Sequence, residues 1–285
     1  MESINRKINI GAVVVLYYPD EKVVEIIKQY PRIDSIILID NSAQDNSKLF
    51  QELDYVEYIP LKYNSGIATA MNKGIRLLIK KGIDYVITMD QDSQLTENVV
   101  NIYRKYLACH KDILALTPQY LTDRSIPKDI KGTVKVKSSL QSGTLFDIRI
   151  FDKIGYFDDK LFIEVVDLEF FLRMNLHGIP LIRCNEAVLK HHPAITHEKK
   201  IGWKTIKYGV ASPLRYYYGA RNLYYVFHKY HCKEILKGLL IRYAKVLLLF
   251  DDKKSYLKSM NEGIHDARNN VFGEKRYEFF ESKCE

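Results

Sequence analysis

Asp90-Gln91-Asp92-Ser93 follows the apolar run YVITM, and two carboxylates spaced two residues apart at a strand end project to the same side. Paired oxygen donors of this kind suit Mg2+ or Mn2+ bridging a diphosphate, although the two aspartates can equally cap the turn and the helix after it. Downstream, Glu164, Asp167, Glu169 and Arg173 fall within FIEVVDLEFFLR. A helix starting near Asp167 turns its early carboxylates toward an open cleft and stabilises them as anions, as a base that takes a proton from a hydroxyl requires. Glu169 competes for that role, and acids that only stabilise a helix N-terminus are the plainer explanation. Lys190-His191-His192 follows the apolar AVL, where the first imidazole can add a nitrogen to a cation held by carboxylates.

Two polar segments lie upstream. Asp40-Asn41-Ser42 ends an apolar run and either accepts hydrogen bonds from a nucleobase or ribose or closes an Asx turn. Asn64-Ser65-Gly66 opens a helix whose backbone N–H groups and small side chains can lie against a nucleotide, or serves as an ordinary cap; Asn72 and Gly74 continue that small face.

The elements that must position these residues alternate. β-branched runs predict strands at 10–17, 35–40, 55–61, 85–89 and 113–117, separated by helical patterns at 23–30, 68–81 and 97–110. VVVLYY, SIILI and YVITM are continuous apolar runs without clean alternation, as expected of parallel strands covered on both faces. The carboxyl ends of such strands are where open α/β sheets bind ligands, and both Asp90 and Asp40 have that address. Residues 122–137 are polar and basic and predict a long loop; the stretch after 193 predicts a loop or lid; 215–260 predicts one or two amphipathic helices.

A chain of 285 residues with 47% hydrophobic composition can bury a full α/β core, which excludes a disordered protein. The formal charge of +8 suits anionic partners. Cys109, Cys184, Cys232 and Cys284 contain no CxxC pair and fit a reducing, cytosolic setting; the N-terminal apolar run is too short to span a membrane and is read as the first strand. Tyr17-Tyr18-Pro19-Asp20 stands where a nicotinamide enzyme would carry GxGxxG, and no basic glycine-rich loop marks a nucleotidyltransferase. The cationic residues are spread along the chain, without a nucleic-acid-binding signature.

Seven ordered pieces, VVVLYYPD, LIDNSAQDN, YNSGIATAMNKGI, MDQDS, SGTLFDIRIFDKIGYFDDKLFIEVVDLEFFLRMNLHG, VLKHH and YYGARNLYY, together resemble the family 2 glycosyltransferases over about residues 8–230. The likeness is greatest to their bacterial rhamnosyltransferase-like branch, which builds surface polysaccharides. It implies a GT-A fold, α/β with a Rossmann-like, mostly parallel sheet flanked by helices. Residues 1–214 would form the catalytic domain, with a nucleotide-sugar half to about 120 and an acceptor half beyond, and 215–285 a helical extension for membrane or partner association.

By this resemblance Asp40 with Asn41 contacts the nucleotide, Asn64 and Gly66 line its pocket, and Asp90 and Asp92 form the DXD metal and diphosphate motif. His191 completes the shell of Mn2+ or Mg2+, Asp167 is the catalytic base, Glu169, Arg173 and Arg221 are substrate-binding, with Glu164 and Glu169 orienting the acceptor or Arg173, and Arg221 with Asn222 is the RN element. Where many members place Glu before the base this chain has Val166, and Pro193-Ala194 replaces a glycine-containing step after the histidine. The implied reaction is one inverting displacement from a nucleoside-diphosphate sugar, dTDP-L-rhamnose favoured over a UDP-sugar, to a lipid-linked saccharide at the cytosolic face of the inner membrane. A non-catalytic subunit that binds sugar nucleotides or glycans is the competing function.

Overall fold

The structure is a computed structural model that describes residues 8–122, 126–191, 196–201 and 204–275. Strand β1 (Ile10–Leu16) is buried along its whole length because it lies between two parallel neighbours, β2 (Ser35–Asp40) and β4 (Tyr85–Asp90), while β3 (Val56–Pro60) extends the sheet beyond β2. Alternate side chains enter two cores. Val13, Val15, Ile37 and Ile39 pack with Ala68, Met71, Ile75 and Leu78 of α2 (Ile67–Lys80). Ala12, Val14, Leu16, Ile36 and Leu38 pack with Val23 and Ile27 of α1 (Glu21–Lys28) and Val99 and Tyr103 of α3 (Glu97–Cys109). Coverage on both faces accounts for the unbroken apolar runs. At Gly74 a Cβ would overlap Val13, so the absence of a side chain sets the close approach of α2 to the sheet.

The second half joins through β8 (Leu145–Asp147), antiparallel to β4 and to β6 (Ala115–Leu121); β6 then runs parallel to β9 (Leu181–His191). The two-residue β5 (Ser93–Gln94) pairs antiparallel with the end of β9, matching Ser93 to His191. The order is β3-β2-β1-β4-β8-β6-β9-β5. Short helix α4 (Arg149–Ile154) and α5 (Val166–Leu176) pack below.

Two loop expectations need correction. Within 122–137, β7 (Thr133–Val136) pairs with β9 instead of remaining loop. The segment after 193 contains an antiparallel ribbon, β10 (Thr196–Ile201) and β11 (Lys204–Gly209); residues 192–195 and 202–203 lie outside the described residues. A two-stranded ribbon needs no buried apolar face, and its Glu198–Lys207 ion pair at 3.1 Å is polar, so hydrophobic periodicity gave no signal.

The C-terminal part forms three helices, α6 (Pro213–Tyr230), α7 (Lys233–Leu249) and α8 (Lys253–Arg268). Helix α8 buries only Met260, Gly263 and Ala267, and a Cβ at Gly263 would overlap the Tyr217 carbonyl. Contact through backbone leaves little apolar pattern to read. Tyr216, Leu223, Val246 and Met260 share one core with Phe170 and Phe171, so the hydrophobic interior under α2 continues without a break into these helices. No described helix is long and apolar enough to cross a membrane.

Candidate active site

The registers of β1 with β2 and β4 bring Asp40, beside Leu16, and Asp90, beside Val15, to one sheet edge. The β5–β9 pairing then carries His191 next to the turn after β4, with its Nδ1 2.9 Å from Ser93 Oγ and 3.5 Å from Asp92 Oδ1. One ligand atom each from Asp90, Asp92 and His191 lies within 4.8 Å of the others. Two carboxylates and an imidazole match the donor preference of Mn2+ and also admit Mg2+. Gln141 Nε2 donates to Asp90 Oδ1 at 2.5 Å, while its Oε1 is buried and has no hydrogen-bond partner among the described residues. An unsatisfied acceptor beside the acidic pair is what an ion with bound waters would satisfy, so the residues present fit a divalent cation.

These groups open into a cavity of about 860 Å³ whose far wall holds Asp167. Asp167 sits in the first turn of α5 and accepts a hydrogen bond from Leu168 N at 2.8 Å. Enclosure pushes its carboxyl up to about 6, against the backbone donors and with help from Glu164. Asp90 is pushed up to about 7 by enclosure and then by Asp92 and Asp167. Three acids repelling one another around a cleft is the electrostatics of a place that expects a cation.

The chain before Asp167 is strained. Phe162, Glu164 and Val165 have φ of 57°, 66° and 68°, a region that costs about 1–3 kcal/mol for each such residue. Asn222 restrains it: its Nδ2 donates to the carbonyls of Leu161, Ile163 and Glu164 at 2.6, 2.8 and 2.8 Å. Asn222→Ala is expected to lower the unfolding free energy by about 1–3 kcal/mol through buried carbonyls left without donors, as measured by urea denaturation.

Arg221 is 1% exposed and donates to Gly273 O at 2.8 Å, with longer contacts to the carbonyls of Lys160 and Leu161. It therefore stabilises this loop and does not line the cavity. Glu169 is fully buried, accepting from Arg173, Lys229 and Tyr230, and Arg173 also donates to Tyr156 O. Both lie away from the cavity because the helical period turns them to the opposite face of α5 from Asp167.

Asp40 is fully buried, its two oxygens taken by Ser42 N, Ser42 Oγ, Asn46 Nδ2 and Tyr58 Oη. Asn41 bonds Asn64 Oδ1 at 2.8 Å and Ser65 N at 2.7 Å, and Asn64 Oδ1 accepts Gly66 N. Gly66, at φ 83°, packs where a Cβ would overlap Phe162. These four residues knit the edge of β2 to α2 and to the loop before Asp167.

Sequence reading passed over several cavity residues. Gln141 and Arg242 carry no motif, and only the folded chain brings them to the same wall. Glu164 links Arg215 and Arg242 at 2.7 and 3.0 Å. Outside the cavity lining, Tyr17 and Tyr18 expose about half their surface, and the Tyr17 backbone N–H and carbonyl bond the side-chain amide of Gln91.

A parallel α/β half joined to a mixed half, with an Asp-X-Asp turn, a histidine and a helix-borne aspartate around one cleft, is the layout of a GT-A type glycosyltransferase. Residues 21–135 match the family described as Glycosyl transferase family 2. Over 94% of its length, and 98% of the relative's, it is 28% identical to dTDP-rhamnosyl transferase RfbF of Shigella flexneri. These matches bear out the resemblance to family 2 and to its rhamnosyltransferase-like branch.

Solved structures agree on the fold. GalNAc-T7 with UDP, GalNAc and Mn2+ superposes with a TM-score of 0.60 at 13% identity, covering 94% of this chain, which spans 57% of that one. Staphylococcus aureus TarS 1-349 in complex with UDP-GlcNAc gives 0.59 at 13% identity, covering 93% of this chain and 83% of that one.

Proposed function

We propose that this chain is an inverting, metal-dependent glycosyltransferase that moves a sugar from a nucleoside-diphosphate donor, dTDP-L-rhamnose before a UDP-sugar, to a lipid-linked saccharide in surface polysaccharide synthesis. The observation that carries this reading is one cavity lined by Asp90, Asp92 and His191 and by Asp167. The dTDP-rhamnosyl relative supports the donor, and the basic charge of +8 supports work at the cytosolic membrane face.

The Asp167 carboxylate takes the proton of an acceptor hydroxyl as that oxygen bonds the anomeric carbon; the bond from this carbon to the diphosphate oxygen breaks, and its electron pair leaves with the nucleoside diphosphate. A divalent ion held by Asp90, Asp92 and His191 would offset the negative charge of the departing diphosphate. A single displacement inverts the anomeric centre and needs no second free carboxylate. Of the two nearest, Glu164 is held between guanidinium groups and Glu169 is buried elsewhere.

The test is nucleoside diphosphate release from a panel of thymidine- and uridine-linked sugars with Mn2+ or Mg2+ and a lipid-linked acceptor. Turnover of one donor is expected. A well-folded protein that binds and turns over none of them would favour the non-catalytic assembly subunit.

A further inference from the structure

Beside the catalytic cavity, α6 and α7 bring two guanidinium groups onto one carboxylate and a lysine into the same recess. Glu164 accepts Arg215 Nε at 2.7 Å and Arg242 Nη2 at 3.0 Å, and Lys245 Nζ donates to Gly209 O at 2.6 Å. Arg215 and Arg242 against Glu164 leave one positive charge in excess, and the Lys245 ammonium lines the same recess. The recess, of about 250 Å³, shares Glu164, Arg215 and Arg242 with the wall of the main cavity. Burial would raise the Glu164 carboxyl, but the two arginines hold it below its usual range, so it stays ionised and fixes both guanidinium planes. Each guanidinium has five N–H groups, and Glu164 engages one nitrogen of each.

The recess depends on a local concession in α6. At Gly219 a Cβ would overlap the Arg242 guanidinium, so the missing side chain gives that arginine its path across the helix. Arg242 lies on the inward face of α7 with Ile235, Leu239, Val246 and Leu249. The outward face of the same helix exposes Leu236, Leu240, Ile241, Leu247 and Leu248 at 37–65%. A cationic inner face behind an apolar outer face matches a diphosphate carried on a long alkyl chain better than a free nucleotide.

We propose that Arg215, Arg242 and Lys245 bind the diphosphate that joins the acceptor saccharide to its lipid, distinct from the donor diphosphate at Asp90 and Asp92. This rests on the lipid-linked transferase reading above. With the diphosphate anchored in the recess, the saccharide extends into the cavity shared with Asp167.

Calorimetric titration of dodecyl diphosphate into the full chain, first saturated with dTDP and Mg2+, tests it. Binding is expected to persist in the presence of dTDP and to weaken about 10- to 100-fold in Arg242→Gln and Lys245→Gln, the range for losing one hydrogen bond to a charged group. Gly219→Ala, which displaces Arg242 without removing its charge, is expected to weaken it as well. Competition between dodecyl diphosphate and dTDP would assign the recess to the donor and overturn the proposal, as would equal affinity in all variants. Inorganic pyrophosphate binding as tightly as dodecyl diphosphate would overturn the lipid source. Absence of dTDP binding itself would instead strike the transferase reading, whereas dTDP binding without dodecyl diphosphate binding would strike only the recess.

Discussion

Asp167→Asn is expected to lower kcat by about 10²–10⁴-fold, the usual contribution of a general base, while donor affinity changes little. The substitution keeps the shape of the side chain and an oxygen for the Leu168 N–H, and removes the ability to take a proton. In the wild type the carboxyl is pushed up to about 6, and only its ionised form can act as base, so kcat/KM should rise with pH through about 6 and level off above. That limb should vanish in the variant. A bound cation nearby would pull the limb to lower pH, which is a second check on the shared cavity. Turnover within a few-fold of wild type in Asp167→Asn would remove Asp167 from the reaction and direct attention to Glu164, the other acid on that wall.

The place of Asp167 on the cavity wall bears on what sequence carries. Strands β1, β2 and β4 and helices α2 and α3 were legible because each buries a face against regular neighbours, which imposes a period on the residues. The DXD turn and Asp167 were legible as carboxylates at strand and helix ends. The alignment of His191 with Asp92 depends on the β5–β9 register, a contact across almost a hundred residues that no local pattern encodes. Glu169, Arg173 and Arg221, expected at the substrate, lie off the cavity lining for the opposite reason. Their charge in the sequence looks like chemistry, yet in the fold each is surrounded by partners that hold the strained loop or α5. Asp40 shows the same limit, since a saturated Asx-type network and a nucleotide contact have the same sequence signature. The ribbon at β10 and β11 and the α8 contact at Gly263 escaped because neither uses a large apolar side chain.

Removing the divalent ion should abolish turnover and also change the pH dependence of stability, and the acidic cluster gives the direction. Asp90 is pushed up to about 7 in the fold, above an unfolded value of about 3.9, so the folded chain binds more protons between those pH values. Stability from this group is therefore fully present below about pH 4 and is lost as pH rises through about 7. Asp167, raised to about 6, acts in the same sense, while Asp158 and Glu164, both held low, contribute only in the acid range below this window. Metal-free protein should thus melt at a lower temperature at pH 8 than at pH 5.5. Mn2+ should reverse this, because a cation and a proton compete for the same oxygens. At a hundredfold excess over Kd the ion adds about 2.7 kcal/mol, a rise of about 5 °C or more at pH 8 and a smaller one at pH 5.5. Asp92→Ala should lose most of that rise together with turnover, whereas Asp90→Asn should also flatten the pH dependence of the metal-free melt, since it removes the group whose charge opposes folding. Differential scanning fluorimetry across pH with and without Mn2+ separates these effects. Full turnover in chelator, or a melting temperature indifferent to Mn2+ at pH 8, would show that Asp90, Asp92 and His191 do not hold an ion the reaction needs.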